Sequence, residues 1–214
     1  MKREQKKDNP GIQGTIRYAE AIFDEKEINS MVDTLLHGWL GLEKKGREFS
    51  VKLAQYLGVS RTILVNSGSS ANLLAIVALK SKKLQSPLNN GDEVITPAVT
   101  FPTTLNPIIQ NNLTPVLVDV DVDTLNMDTD RLNEAISPRT RALMIPHTLG
   151  NPNDMDLIMD LVEDHDLHLI EDNCDALGSE YDGKKTGKLW RIIYKLFLSG
   201  PSHYYRRRRG CFDF

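Results

Sequence analysis

The stretch that decides the fold is "LHLIEDNCDALG", residues 167–178. Its first four residues are apolar except for His168, and two carboxylates, Glu171 and Asp172, follow them. A short apolar run bounded by polar residues predicts a strand that is buried on both faces of a parallel sheet. A carboxylate at the end of such a strand needs a partner, which could be a bound ligand, a helix cap or a surface ion pair.

Strands of this kind alternate with helices along most of the chain. The predicted strands are 62–65, 92–97, 114–120, 142–146 and 167–172, and the predicted helices are 24–40, 46–58, 67–80, 128–136 and 154–166. This alternation indicates an α/β fold with a mostly parallel sheet that is covered on both faces. The alternation stops after Trp190.

The bulk properties exclude several classes of protein. Of the 214 residues, 40% are hydrophobic and 26% are charged, which is ordinary for a soluble domain with a real core. The formal net charge is −3, and residues 190–214 contribute six basic residues and one acidic residue, so the body carries −8. An acidic body argues against nucleic acid as the main partner.

The chain shows no signal for secretion or membrane insertion. Two cysteines, Cys174 and Cys211, are too few for a disulfide framework and suit a reducing compartment. The N-terminal segment "MKREQKKDNPGIQG" is charged with no apolar run behind it, and no apolar run is long enough to span a bilayer. We therefore expect a cytoplasmic protein with no membrane partner.

Ligands of open α/β sheets bind beyond the carboxyl ends of the strands, so the residues that follow each strand are the candidates for a site. Strand 62–65 is followed by "NSGSSAN", in which Gly68, Ser69 and Ser70 are small residues at a helix start. The amides of a helix start form an anion-binding cradle by geometry and by the helix dipole. A serine-rich helix cap is the other interpretation.

Two further candidates follow the next strands. Phe101 follows strand 92–97, where its ring could stack on a flat ligand or simply belong to the core. His147 follows strand 142–146, as an acid–base group or as a hydrogen-bonded core histidine. A phosphate cradle, an aromatic ring and a late carboxylate together describe a site for a flat, phosphorylated ring whose nitrogen would be the partner of the carboxylate.

These motifs resemble the DegT family of nucleotide-sugar aminotransferases. The segments "NSGSSANLLA", "GDEVITPAVTFPTTLNPIIQN", "PVLVDVD", "IPHTLGNP" and "IEDNCDALGSEYDGKKTG" are most similar to its dehydrase branch, the CDP-4-keto-6-deoxyglucose 3-dehydrases of lipopolysaccharide dideoxysugar (O-antigen) synthesis. The resemblance implies an aspartate-aminotransferase-like large domain, truncated before the catalytic segment and the C-terminal domain. It divides the chain into an N-terminal arm (1–19), a partial cofactor-binding domain (20–189) and an aberrant tail (190–214).

The resemblance also implies a cofactor, pyridoxal phosphate or pyridoxamine phosphate, and roles for single residues. Gly68, Ser69 and Ser70 would hold its phosphate and Phe101 would stack on its ring. Asp172 would bind the pyridine nitrogen. Asp175 stands where aminotransferases of the family carry a glutamine near the ring.

The dehydrase branch implies further partners. Cys174 is similar to the first ligand of a [2Fe–2S] cluster, although one cysteine cannot hold a cluster that needs four protein ligands. An intact relative would act on a CDP-sugar, form a homodimer and receive electrons from a reductase. We do not expect the cluster to assemble on this chain.

The family next carries a catalytic segment, with lysine in aminotransferases and histidine in the dehydrase branch, and neither run is present here. We therefore assign no catalytic residue and expect little or no activity. The alternatives are an aminotransferase of the same family and a non-enzymatic α/β module that binds anions or nucleic acid. A nicotinamide-binding domain is disfavoured because the chain lacks the fingerprint G-x-G-x-x-G.

A shifted reading frame would explain residues 190–214. One allowed codon choice for Phe197 to Cys211, read one base along, encodes Phe-Tyr-Pro-Ala-His-His-Ile-Thr and then Thr-Ala-Glu-Gly-Gly-Ala. We expect sequencing of the gene to recover this histidine motif in the alternative frame. A nucleotide sequence that cannot encode these residues one base along would contradict the hypothesis.

Overall fold

The computed structural model describes residues 23–38 and 41–187. The predicted arm (1–19) and the predicted tail (190–214) lie outside the described residues. The chain divides into two compact units, with residues up to His37 in the first and residues from Gly38 in the second. None of the helices in the described ranges is long and apolar enough to cross a membrane.

The first unit contains helix α1, Glu25–Leu36. A capping box starts it, since the Asp24 side chain accepts from the amide of Lys26 at 2.7 Å and the Glu27 carboxylate accepts from the amide of Asp24 at 2.7 Å. The predicted helix 24–40 is therefore confirmed, although it ends earlier than predicted. No residue of α1 is buried.

The second unit is built around a parallel sheet of four strands in the order β2-β1-β3-β4. The strands are β1 Glu93–Pro97, β2 Thr114–Val118, β3 Thr140–Pro146 and β4 His168–Asp172. The helices are α2 Lys44–Leu57, α3 Gly68–Leu79, α4 Pro102–Gln110, α5 Thr129–Ala135 and α6 Met155–Asp164. A 3₁₀ turn (Thr148–Gly150) and a hairpin of β5 (Glu180–Tyr181) and β6 (Lys184–Lys185) complete the described part.

Each face of the sheet has its own core. Leu143 and Leu169 belong to the core that includes residues of α5 and α6, whereas Met144 and Ile170 belong to the core that includes residues of α3 and α4. Because successive side chains of a strand point to opposite faces, the next two residues of β4 also separate. Glu171 therefore lies on the same face as Leu169, which α5 and α6 cover, and Asp172 lies on the same face as Ile170, which α3 and α4 cover.

Most predicted elements are confirmed, and two differences have physical causes. The predicted strand 62–65 is not a strand: the hydroxyl of Thr62 instead donates to the carbonyl of Ser50 at 2.8 Å, and the described residues offer it no neighbouring strand. Helix α4 was not predicted, because two prolines interrupt its sequence. Pro102 fits at the first helical position, where the backbone nitrogen has no hydrogen-bond acceptor within the helix. Pro107 lies inside the helix.

A buried carboxylate, paired with an exposed arginine, holds the amino-terminal end of β1. The first residue of β1, Glu93, is 5% exposed and accepts from the hydroxyl of Ser137 at 2.5 Å and from the guanidinium of Arg139 at 2.5 Å. The hydroxyl of Thr140 is a third donor at 3.3 Å. The hydrogen bond from Ser137 lowers the pKa of Glu93 below its ordinary value of 4.5, and Arg139 and Thr140 lower it further.

We expect Glu93→Gln to lower the free energy of unfolding at pH 7 by about 1–3 kcal/mol, because one charged acceptor with several donors is lost. Since the pKa of Glu93 is lowered in the folded state, its contribution is present above the ordinary pKa and is lost as the pH falls. Urea unfolding should therefore show the difference shrinking below about pH 4. Glu134→Gln, at an exposed position of α5, is the control, and a difference that persists unchanged at low pH would contradict the assignment.

Candidate functional site

The side chain of Asp172 lies at the carboxyl end of β4 and is held by three donors. Its Oδ2 accepts from Nδ2 of Asn72 and from the hydroxyl of Thr104, both at 3.0 Å. Its Oδ1 accepts from the amide of Cys174 at 3.2 Å. Asp172 is only 5% exposed, so these donors supply the partners that a buried carboxylate requires. The carboxylate thus joins α3, α4 and the loop that follows β4.

The orientation of Asn72 depends on a proline in α4. Residue 107 would normally donate its amide to the carbonyl of Thr103, four residues earlier, but Pro107 has no amide hydrogen. The free carbonyl of Thr103 accepts from Nδ2 of Asn72 at 2.9 Å. Both hydrogens of the Asn72 amide nitrogen are therefore used, one by Thr103 and one by Asp172.

The start of α3 lies one turn from Asn72 and provides free amides. Ser67 caps the helix, and its hydroxyl accepts from the amide of Ser70 at 3.2 Å. The amides of Gly68 and Ser69 have no acceptor among the described residues, as expected for the first two positions of a helix. The structure thus confirms a serine cap at Ser67, and the anion-binding interpretation of the two free amides stays a prediction.

Phe101 lies at the start of α4, directly beside the Asp172 contact. Its carbonyl accepts from the amide of Thr104 at 2.9 Å, and Thr104 is the residue whose hydroxyl binds Asp172. The Phe101 side chain is 71% exposed, so the alternative that it belongs to the core is wrong. An exposed ring at this position is free to cover a flat ligand.

Several buried polar atoms near this end of the sheet have no partner among the described residues. They are Oδ1 of Asn72, the hydroxyl oxygens of Thr96 and Thr100, and both amide atoms of Asn173. Buried polar groups are normally hydrogen-bonded, so such a group of unpaired atoms indicates a place for a polar ligand or for ordered water.

Glu171 and His147 form a buried pair on the opposite face of β4. His147 is 1% exposed, and its Nδ1 accepts from the amide of Asn153 at 3.2 Å. Its Nε2 therefore carries the hydrogen, which it donates to Oε2 of Glu171 at 3.0 Å. The same oxygen accepts from the amide of Gly187 at 2.6 Å. His147 is thus a hydrogen-bonded core residue, the second of the two interpretations open from the sequence.

Cys174 and Asp175 follow Asp172 in the loop after β4. Burial raises the pKa of the Cys174 thiol far above its usual range, and the carboxylates of Asp172 and Asp175 raise it further. Asp175 is exposed. In the described ranges, no group of three or more His, Cys, Asp or Glu residues is arranged to hold a metal ion.

The neighbours in the site that the sequence did not single out are Asn72 and Thr104. A weak signal for Asn72 is available, because it is a polar residue inside the otherwise apolar helix "SSANLLAIVAL". Thr104 offers no such signal, since it lies in a helix that was itself missed.

Comparisons with known proteins identify the family of this chain. The DegT/DnrJ/EryC1/StrS aminotransferase family matches residues 21–194. The chain is 44% identical over 196 residues, 91% of its length, to a dTDP-4-dehydro-2,6-dideoxy-D-glucose 3-dehydratase of Saccharopolyspora spinosa. It is 43% identical over 190 residues, 88% of its length, to the lipopolysaccharide biosynthesis protein RfbH of Salmonella typhimurium.

A solved structure shows the same fold. The GDP-4-keto-6-deoxy-D-mannose-3-dehydratase of E. coli, with bound hydrated PLP, superposes with a TM-score of 0.76 at 35% identity over 79% of this chain. The chain therefore belongs to the DegT/DnrJ/EryC1/StrS aminotransferase family, and its aspartate-aminotransferase-like α/β fold is confirmed. It spans 42% to 43% of the length of these three relatives.

We expect the Cys174 thiol to resist modification in the folded protein, because its raised pKa keeps it protonated. In a Cys211→Ser variant, a disulfide-exchange reagent at pH 8 should react about 100-fold more slowly in native buffer than in guanidinium chloride. The Cys174→Ser variant, which retains Cys211, controls for the reagent. Equal rates in the two solvents would show that Cys174 is accessible and ionised.

Proposed function

We propose that this chain binds pyridoxal phosphate, or pyridoxamine phosphate, between the start of α3 and the carboxylate of Asp172. The observation that supports the proposal most strongly is that Asn72 connects the two places. It lies on α3, one turn after the free amides of Gly68 and Ser69, and donates to Asp172 at 3.0 Å. A phosphate at the helix start and a ring nitrogen at the carboxylate would then share one side of the sheet.

The residues present suit such a molecule. The amides of Gly68 and Ser69, with the hydroxyls of Ser69 and Ser70, offer donors to a phosphate. Phe101 offers an exposed ring to one face of a pyridine, and Asp172 offers a carboxylate to a protonated ring nitrogen. The unpaired atoms of Thr96, Thr100 and Asn173 offer further polar contacts.

The cofactor, when bound, supplies an electron sink for bonds next to a substrate carbon. The chain's own residues would hold it in place and keep its ring nitrogen protonated, since a carboxylate beside that nitrogen stabilises the positive charge. Asp175 lies three residues after Asp172 and is exposed, so it can approach the ring from the loop.

We further propose that the intact enzyme of this lineage is a nucleotide-sugar 3-dehydratase. The support is the similarity to relatives named as 3-dehydratases of dTDP- and GDP-sugars. A CDP-4-keto-6-deoxyglucose substrate remains our proposal from the motif resemblance, as do a homodimer and a reductase partner. The exposed Leu73, Leu74 and Val77 of the largely apolar helix α3 favour a homodimer that covers them.

The [2Fe–2S] cluster does not fit the residues present. Cys174 is half-buried against the α3 and α4 core, and no group of three or more His, Cys, Asp or Glu residues in the described ranges is arranged to hold a metal ion. One cysteine cannot hold a cluster that needs four protein ligands. The second cysteine, Cys211, lies outside the described residues. We therefore assign no metal to this chain.

An aminotransferase of the same family is the second candidate, and the family's name supports it. It requires a lysine that binds the cofactor covalently. Lys184 and Lys185 belong to the β6 strand, and the Lys185 ammonium already contacts the Glu180 carboxylate at 2.9 Å and the Tyr56 ring at 4.6 Å. Lys188 lies outside the described residues.

We expect pyridoxal phosphate to bind weakly and without a covalent bond, with an absorbance and fluorescence change that inorganic phosphate competes away. Asp172→Asn should raise the Kd about tenfold or more, because the partner of the ring nitrogen loses its charge. Asp164→Asn at the end of α6 is the matched control, since it removes the same charge at an exposed position.

Three results would change the assignment. If both Asp variants bind as the wild type does, Asp172 is not the partner of the ring. A lysine modified after borohydride reduction, seen by mass spectrometry, would favour the aminotransferase. Nucleic-acid binding that weakens steeply with salt and disappears when residues 206–209 are deleted would favour the non-enzymatic module.

A further inference from the structure

The loop between Asn173 and Gly187 leaves β4 and returns to the same place. Its outgoing side is held by Asp172, whose Oδ1 accepts from the amide of Cys174 at 3.2 Å. Its returning side is held by Glu171, whose Oε2 accepts from the amide of Gly187 at 2.6 Å. The bond between Glu171 and Gly187 therefore closes the neck of this loop, which we call the β4 loop (173–187), while Asp172 holds its first turn.

Glu171 is a fully buried carboxylate, and one of its two oxygens has no hydrogen-bond partner among the described residues. It is 0% exposed, and the oxygen without a partner there is Oε1. An apolar residue of the same size would avoid the cost of burying a carboxylate. The carboxylate differs from such a residue in the two hydrogen bonds that Oε2 accepts, from the amide of Gly187 and from Nε2 of His147.

The rest of the β4 loop depends on this closure. Thr186, next to Gly187, donates its amide to the carbonyl of Ser179 at 3.0 Å and its hydroxyl to the carbonyl of Ala176 at 3.2 Å. The loop also holds Gly150 of the 3₁₀ turn, whose carbonyl accepts from the hydroxyl of Ser179 at 2.7 Å. Thr186 thus joins the returning end of the loop to Ala176, the residue that follows Cys174 and Asp175.

We propose that Glu171 is the positioning residue of the cofactor site: by closing the β4 loop, it keeps the carboxylate of Asp172 oriented toward Asn72 and toward a bound ring nitrogen. This inference rests on the proposed function. Glu171 itself lies on the opposite face of β4 from Asp172 and touches no part of the site. Glu171 acts on Asp172 indirectly, through the peptide unit that joins the two residues and through the Cys174 amide, which donates to Asp172.

The test uses the full chain, with pyridoxal phosphate as the probe. Glu171→Gln removes the charge that Oε2 presents, and Gly187→Ala strains the same neck from the other side, because Gly187 has φ of 73°. Each has a matched control. Glu93→Gln changes the buried carboxylate at the amino-terminal end of β1, and Gly91→Ala changes a glycine outside the β4 loop with φ of 86° and open space around its Cβ position.

We expect Glu171→Gln and Gly187→Ala to raise the Kd for pyridoxal phosphate about tenfold, the effect of one lost charge-assisted hydrogen bond on a neighbouring site. Hydrogen exchange followed by mass spectrometry should show faster exchange in 173–187 for these two variants. Glu93→Gln and Gly91→Ala should leave both the Kd and this exchange unchanged, even where urea unfolding shows an equal loss of stability.

Other outcomes overturn the proposal. If all four variants weaken binding in proportion to their loss of stability, Glu171 is only a structural residue. If Glu171→Gln does not fold, Gly187→Ala decides, and an unchanged Kd for it overturns the proposal. If the wild type binds no pyridoxal phosphate, the proposed function and the positioning of Asp172 both fail. Hydrogen exchange in 173–187 then separately decides whether Glu171 closes the loop.

Discussion

The carboxylate of Asp172 is the constraint on which the described site depends. A charge that is 5% exposed is costly to bury unless several donors surround it. Here the donors come from Asn72, one hundred positions earlier, from Thr104, and from the backbone just after β4. Satisfying this one group therefore fixes the relative placement of α3, α4 and the end of β4.

The parts of the fold that follow local rules could be predicted from the sequence. The strands of the sheet are apolar runs, and Gly58 ends α2 with φ of 64° as its position predicted. The strand predicted at 62–65 failed because a strand is defined by its neighbour, which no local pattern reveals. Helix α4 was missed because Pro107 is unfavourable in a helix when its own segment is considered alone. Because Pro107 has no amide hydrogen, the carbonyl of Thr103 is left free, and it accepts a hydrogen bond that orients Asn72.

The candidate site was predictable only in outline. The positions of Asp172 and Phe101 follow from the rule that ligands bind beyond the carboxyl ends of parallel strands. The α3 start was selected by the same rule, but the strand predicted before it, 62–65, is not a strand in the structure. The neighbours that hold Asp172 do not follow from it, because their roles arise from contacts between distant segments. The sequence also could not assign separate tasks to Glu171 and Asp172. That separation becomes visible when Leu169 and Ile170 are seen to lie in different cores.

The β4 loop shows why polar contacts, and not packing, govern this end of the sheet. It begins at Asn173 and closes at Gly187, and in between only Ala176 is a buried apolar residue. A segment that buries so little apolar surface gains little from the hydrophobic effect, so its order depends on polar contacts. They lie at its ends and along its length, where Ser179 bonds Gly150 and Tyr181 bonds Asp154. The bonds at its two ends go to successive carboxylates of β4, a largely buried strand. The same strand can therefore hold the loop with one side chain while it presents the other to a ligand.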